Sequence, residues 1–143
     1  MMFNHDADQP VLTLTDEESW GLLGRTSHGR LATAVGNTID IFPVNFGLLD
    51  KTIYLRTGPG EKLAALTVHD AVAFEADGIL SDEAWSVVVH GQAHHLQTSK
   101  EIEVARSSGV SPWIPTQKES WVKIEVTGIS GRHFVLGAQP EAD

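Results

Sequence analysis

The stretch RTGPGEK gathers Arg56, Thr57, two glycines and Lys62 where an apolar run, TIYL, gives way to the helix-like segment KLAALTV. Residues of those types in that order suit a phosphate. A helix N-terminus offers N–H groups without intrahelical partners and the positive end of a dipole. Arg56 can fork onto phosphate oxygens, Lys62 adds a point charge in the first turn, and Thr57 offers a hydroxyl. The stretch is not a nucleoside-triphosphate loop, because GPGEKL lacks the spacing of that motif and the hydroxyl after its lysine. It also lacks the third glycine of the dinucleotide fingerprint. From the residues alone two readings stand, a phosphate socket and a turn with ordinary solvated charges.

A second irregularity lies just upstream, in TIDIFPVNFGLL, residues 38–49. Ile39 and Ile41 alternate with polar neighbours, as in a half-buried strand. From Phe42 the large apolar residues are Phe42, Val44, Phe46 and Leu48, which is the opposite phase. The change falls beside Pro43, which cannot donate to a ladder. A β-bulge there would shift the phase and leave the backbone of Pro43, Val44 and Asn45 partly unpaired for the edge of a ligand. The alternative is a core strand with one proline at a sheet edge.

Other chemistries find less support. The chain has no cysteine, which removes disulfides, thiolate metal sites and thiol nucleophiles. The densest histidine cluster is HGQAHH, residues 90–95. On a strand His90 and His94 share a face about 13 Å apart, at roughly 3.3 Å per residue. His94 and His95 point to opposite faces, so no pair closes on a metal and no metal site is expected. A single histidine suffices for haem, which leaves that ligand open. Four tryptophans are present, and Trp85, Trp113 and Trp121 each begin or precede a strand-like or loop segment. An amphipathic ring there can wall a planar ligand, line a subunit interface or pack in the core.

The elements that must position these residues are short. Thr15 is a plausible N-cap for DEESWGLL, with three acidic residues where the helix dipole favours them and Gly24 as the stop. RLATAV runs to the turn dipeptide Gly36-Asn37, and TIDIFPVNFGLL and TIYLRT form a hairpin about Leu49-Asp50-Lys51. PGEKLAALTV predicts a short helix with Pro59 near its first turn. DAVAFEAD and AWSVVVHGQAHHLQT predict two strands, SKEIEVARSSG a helix, and SWVKIEVTGISGRHFVL a hairpin-like pair. Six or seven strands with two or three short helices do not alternate regularly, which argues against a doubly wound sheet. The expected fold is mainly β, a small antiparallel barrel flanked by helices.

With 143 residues, 41% of them apolar and 20% charged, the chain reads as one globular domain. We expect a flexible lead-in over residues 1–11, the barrel domain over 12–137 and a polar tail over 138–143. Ten basic residues stand against nineteen acidic ones, and the formal charge of −9 disfavours nucleic acid and anionic membrane surfaces as partners. MMFNHDADQP has neither the basic start nor the apolar core of a signal peptide, and no apolar run approaches the roughly 20 residues of a membrane span. A cytoplasmic location is expected.

In this order the pieces GRLATAV, IFPVNFGLLDKTIYLRTGPGEKLAAL, VAFEAD and WSVVVHGQAHHL resemble the flavin-binding split-barrel family of pyridoxamine 5′-phosphate oxidase. The resemblance covers Trp20 to Leu96 well and the rest more loosely, and the pairing of FPVNF with RTGPGEKL is its most specific part. It implies a six-stranded antiparallel Greek-key split barrel that forms a homodimer with FMN in two clefts between subunits. It implies that the backbone of Pro43, Val44 and Asn45, with Phe46 beside them, follows the isoalloxazine ring. Arg56, Thr57 and Lys62 would hold the ribityl phosphate. Ser86, beside Trp85, would reach the flavin, often across the dimer, and Trp113 would wall the ring. Oxidases of this family that act on the B6 vitamer carry a C-terminal segment with Trp and Arg. Here only Arg132 and His133 stand near the end, which puts that substrate in doubt.

Two classes of function follow. One is an FMN-dependent oxidoreductase acting on a small-molecule substrate, with the flavin carrying the redox chemistry and no catalytic side chain assigned. The other is a carrier or sensor that binds flavin, the deazaflavin F420 or a haem-like tetrapyrrole without turnover. The polyglutamate tail of F420 would want a basic track, so the net charge favours FMN.

Overall fold

The computed structural model describes residues 1–6, 8–57, 71–110 and 120–138. Among these residues seven strands and two helices follow in the order β1 (Val11–Leu14), α1 (Asp16–Leu23), β2 (His28–Val35), β3 (Thr38–Leu49), β4 (Thr52–Thr57), β5 (Ala71–Ile79), β6 (Glu83–His95), α2 (Ser99–Arg106) and β7 (Ser120–Val135). The short helix expected over PGEKLAALTV lies outside the described residues.

All the strand pairs are antiparallel. They run β7-β4-β3-β2-β5-β6, and β6 pairs with β7 again, so six strands close into a ring. The seventh, β1, adds to the outer end of β7, where Leu14 pairs with Gly131. The tight connections are written in the local sequence. β2 and β3 are joined by Gly36-Asn37, with Gly36 at a φ of 59°. β3 and β4 are joined by Asp50 and Lys51, both at positive φ, the geometry that matches the twist of a two-residue hairpin.

The inward face supplies one apolar core. Leu31 from β2, Val44 and Phe46 from β3, Ile53 and Leu55 from β4, Phe74 from β5, Val87 and Val89 from β6, and Val122 and Ile124 from β7 are all buried. Phe46 and Phe74 meet edge to face at 4.8 Å. Helix α1 adds Leu22 and Leu23 to this core. Its start is the one expected: Thr15 accepts from the Glu18 amide and Glu18 reciprocates onto the Thr15 amide, a capping box. Helix α2, capped by Thr98, covers a smaller cluster of Tyr54, Leu96, Ala105 and Trp121 on the outer side of β4 and β7. Before β1, where a flexible lead-in is expected, Met2 and Phe3 pack against the main core.

Two local expectations are corrected. β2 and β3 pair without interruption from His28–Asn45 to Val35–Thr38, so Pro43 sits opposite Arg30 in an unshifted ladder and there is no bulge. The change of apolar phase has another cause: Phe42, Val44, Phe46 and Leu48 face inward while Ile39 and Ile41 face outward, 74% and 66% exposed. The C-terminal segment is also not a hairpin. It is the single sixteen-residue strand β7. Thr127 and Gly128, which resemble a turn in sequence, mark a register shift against β6 between His90 and Gly91, and the Thr127 hydroxyl donates to the His90 carbonyl at 3.2 Å. A bulge absorbs one extra residue there, and the strand continues.

Candidate functional site

Among the described residues the β3–β4 ladder runs from Leu49–Thr52 to Phe46–Leu55. Thr38 to Asn45 remain paired to β2 but lie beyond this ladder, so among the described residues the ring opens at this point. One further step of the same register would set Asn45 opposite Arg56. Phe46 and Leu55 are inward, and side chains alternate along a strand, so Asn45 and Arg56 both turn to the outer face. The mouth of the split is thus flanked by Pro43, Asn45 and Arg56.

Asn45 and Arg56 are each held by a neighbouring element. The Phe46 amide donates to the Ser27 carbonyl at 2.9 Å, and the Asn45 side-chain amide donates to the same oxygen at 3.3 Å. This pins β3 to the turn that follows α1. Arg56 pairs with Trp121 of β7, and its guanidinium carbon lies 5.3 Å from the centre of the Trp121 ring. Stacking of this kind sets the direction of a long, flexible side chain. Trp121 itself is buried, and among the described residues its indole N–H has no hydrogen-bond partner.

The other expected residues divide by face. Val44 and Phe46 point into the core, so only their backbone can border a ligand. Trp85 also faces inward, 5% exposed, with its indole packed where any side chain at Gly78 would have to be. It supports the barrel, and the outward contribution of β6 at this level is Ser86, half-buried between Asp77 and Arg132 in the strand register. Ser86 and Pro43 stand three strands apart in the ring, about 14 Å at the usual spacing. One chain therefore does not bring them together. Thr57 ends β4, paired with Ser120, and its side chain lies outside the described residues, as do Lys62 and Trp113.

A feature that sequence reasoning missed sits next to Pro43. Arg30 bridges from β2 to β5, its Nε donating to Glu75 at 2.6 Å and its Nη2 to Asp77 at 2.9 Å. The hydrogen bond to Glu75, followed by that to Asp77, raises the guanidinium above its ordinary value. The signal was available only as spacing between strands, which the register reveals and the chain does not. Beside this ion cluster, Arg30, Ala32, Ile41, Ala73 and Val88 line an outer-face cavity of about 230 Å³.

A ring of six antiparallel strands opened between two of its members defines a split-barrel protein. Residues 15–133 match the family described as pyridoxamine 5′-phosphate oxidase, and the chain belongs to that family. It is 39% identical to a Corynebacterium glutamicum protein assigned as a pyridoxamine 5′-phosphate oxidase, with 94% of this chain and 100% of that one covered and a TM-score of 0.86. It is 36% identical to a FAD binding protein from Mycobacterium smegmatis, covering 88% of this chain and 100% of that one, with a TM-score of 0.77. An uncharacterized protein of Mycobacterium tuberculosis is 37% identical over 91 residues, 64% of this chain and 83% of that one. Among the described residues no helix is long and apolar enough to cross a membrane.

Proposed function

We propose that the protein is a flavin-binding oxidoreductase that holds FMN at the β3–β4 split and works in the cytoplasm on a small-molecule substrate as a homodimer. The observation that carries this reading is the shared outward position of Asn45 and Arg56 where the β3–β4 ladder stops. A planar ring needs a backbone edge to lie along, and its phosphate needs a cation close to the end of that edge. Pro43 to Asn45 supply the first, and Arg56, with Thr57 and Lys62 following in the chain, supplies the second. The residues present fit the group. When bound, the flavin would supply hydride or electron transfer, and the chain's own part is to orient the ring, pair the phosphate and exclude water.

The proposed dimer would use the same face. Ser86 stands too far from Pro43 to complete the site within one chain, and a second copy placed against the outer face of β2, β3, β5 and β6 would bring its own Ser86 to the split. Ile39 and Ile41, exposed beside Ala32 and Ala73, give that face an apolar stripe. Covering a single isoleucine of this kind contributes about 1.5–3 kcal/mol.

The test is the visible spectrum of purified protein before and after incubation with excess FMN or FAD and removal of the unbound part. Retained bands of oxidised flavin support the reading, and preference for FAD would change the nucleotide while keeping the site. A haem-like band, or a colourless protein that ignores both nucleotides, overturns it.

A further inference from the structure

Where β6 and β7 meet the N-terminal segment, three ionisable side chains form one continuous chain of hydrogen bonds. His133 of β7 is fully buried. Its Nε2 lies 2.9 Å from Oε1 of Glu83 on β6, and its Nδ1 lies 2.6 Å from Nε2 of His5. The other nitrogen of His5, Nδ1, lies 2.9 Å from the Gln9 carbonyl oxygen. Glu83, 4% exposed, also accepts the Met2 amide at 2.9 Å, and the Phe3 ring stands edge-on to His133 at 5.2 Å.

The protons in this chain can be counted. The Gln9 carbonyl only accepts, so His5 Nδ1 carries a proton. The Met2 amide, and after it the His133 ring, hold the Glu83 carboxyl below the usual carboxylate range, so the group is ionised and His133 Nε2 carries a proton. The nitrogen-to-nitrogen contact between the rings needs one more. Three protons on two imidazoles make one shared positive charge, set against the one negative charge of Glu83. All four ring nitrogens are thereby engaged, which leaves no lone pair for a substrate and removes a general-base role.

We infer that the segment before β1 is a pH-operated latch, closed on the barrel while His5 and His133 share a single imidazolium charge and released when that proton is lost or a second one is added. Losing the proton leaves two lone pairs facing each other and a buried carboxylate balanced, among the described residues, only by the Met1 amine, 3.8 Å away. Adding one sets two N–H groups against each other. The charged groups around the pair come from every neighbouring element. Asp6 and Asp8 line the same cavity as His5, about 570 Å³ in volume, and the Met1 amine lies 3.8 Å from Glu83. Arg25, in the turn after α1, bonds the Met2 sulfur at 3.3 Å, Asp82 precedes Glu83, and Arg132 faces outward from β7. Among the described residues none of these bonds a ring nitrogen of the pair.

The experiment is amide hydrogen exchange of residues 2–6 across a pH series, read beside the ring resonances of His5 and His133. Protection should be greatest in a middle window and fall on both sides, with midpoints that coincide with titration of the two rings. Glu83→Gln removes the opposing charge and should lower the alkaline midpoint by about one pH unit or more. His5→Ala should abolish protection of residues 2–6 at every pH while the amides of β5 stay protected, which keeps the test valid if the Glu83 variant does not fold. Protection that is flat across the series, or midpoints unrelated to the two rings, would overturn the latch. So would a Glu83→Gln midpoint that stays put or rises.

Discussion

The guanidinium of Arg56 lies over the indole of Trp121, 5.3 Å from the ring centre, at the level where the β3–β4 ladder ends. Trp121 is nearly inaccessible to solvent and is fixed by the cluster beneath α2, so the arginine is aimed by a rigid support. Trp121→Leu keeps an apolar filler and removes the π face. We expect it to weaken flavin binding several-fold, in line with the roughly 0.5–2 kcal/mol of a cation–π contact, while the protein stays folded. Fluorescence quenching of added FMN by the two proteins reads the difference directly.

The outer face of the barrel gives a second expectation. Ile41 is 66% exposed opposite Ala32, in an apolar stripe that crosses β3, β2 and β5. Ile41→Asp would set an unpaired charge in any interface formed there. The expected result is a monomer by light scattering with an unchanged far-ultraviolet circular dichroism spectrum. A variant that remains dimeric would move the interface elsewhere.

Much of this architecture was legible in the chain. Thr15 with Glu18, the Gly36-Asn37 turn and the Asp50-Lys51 hairpin are local signals, and local signals survive into the fold. The misreadings share a physical cause. Period-2 alternation shows which residues share a face but not which face is inside, so the change of phase after Ile39 and Ile41 was open to reading as a bulge. Residues 120–136 passed for a hairpin-like pair because a lone sequence cannot show that β7 continues as one strand along β6. For Trp85 the sequence left ligand wall, interface and core all open, and Gly78 across the ladder makes room for its ring on the inner face. The Arg30 cluster and the Glu83–His133–His5 chain join residues 45 to 128 positions apart, a separation at which spacing carries no information.

Close backbone approach supplies a third expectation. A Cβ on Gly29 would lie 2.6 Å from the Glu75 carbonyl oxygen and 2.6 Å from the Phe74 ring. Backbone oxygen on one side and a core ring on the other leave no cheap relief. Gly29→Ala should therefore cost about 1–3 kcal/mol, as overpacking does, measured by urea unfolding. Gly21→Ala, in α1, meets no atom within 4 Å and serves as the control.

Tyr54 gives a pH expectation with a clean readout, because it is the only tyrosine in the chain. Burial, and after it the charge of Asp50, pushes its phenol above the ordinary value. A group whose folded pKa is raised adds stability that is fully present below the unfolded value. That stability is lost as pH rises through the folded value. Stability should accordingly fall above about pH 10, the ordinary phenol value. The fall should track phenolate absorbance, and Tyr54→Phe should flatten it. A phenol that titrates at its ordinary value would contradict the burial beneath α2.

On the proposed reading the β3–β4 split would hold a flavin by its phosphate through Arg56 and Lys62. The most direct measurement is the affinity for FMN, and for FAD in parallel, of the unaltered protein and of a variant carrying Arg56→Ala and Lys62→Ala together. Loss of two charge-assisted contacts, each worth about 1.5–3 kcal/mol, should weaken binding by at least 100-fold, with circular dichroism and subunit mass unchanged. Equal affinity in the two proteins would contradict the site.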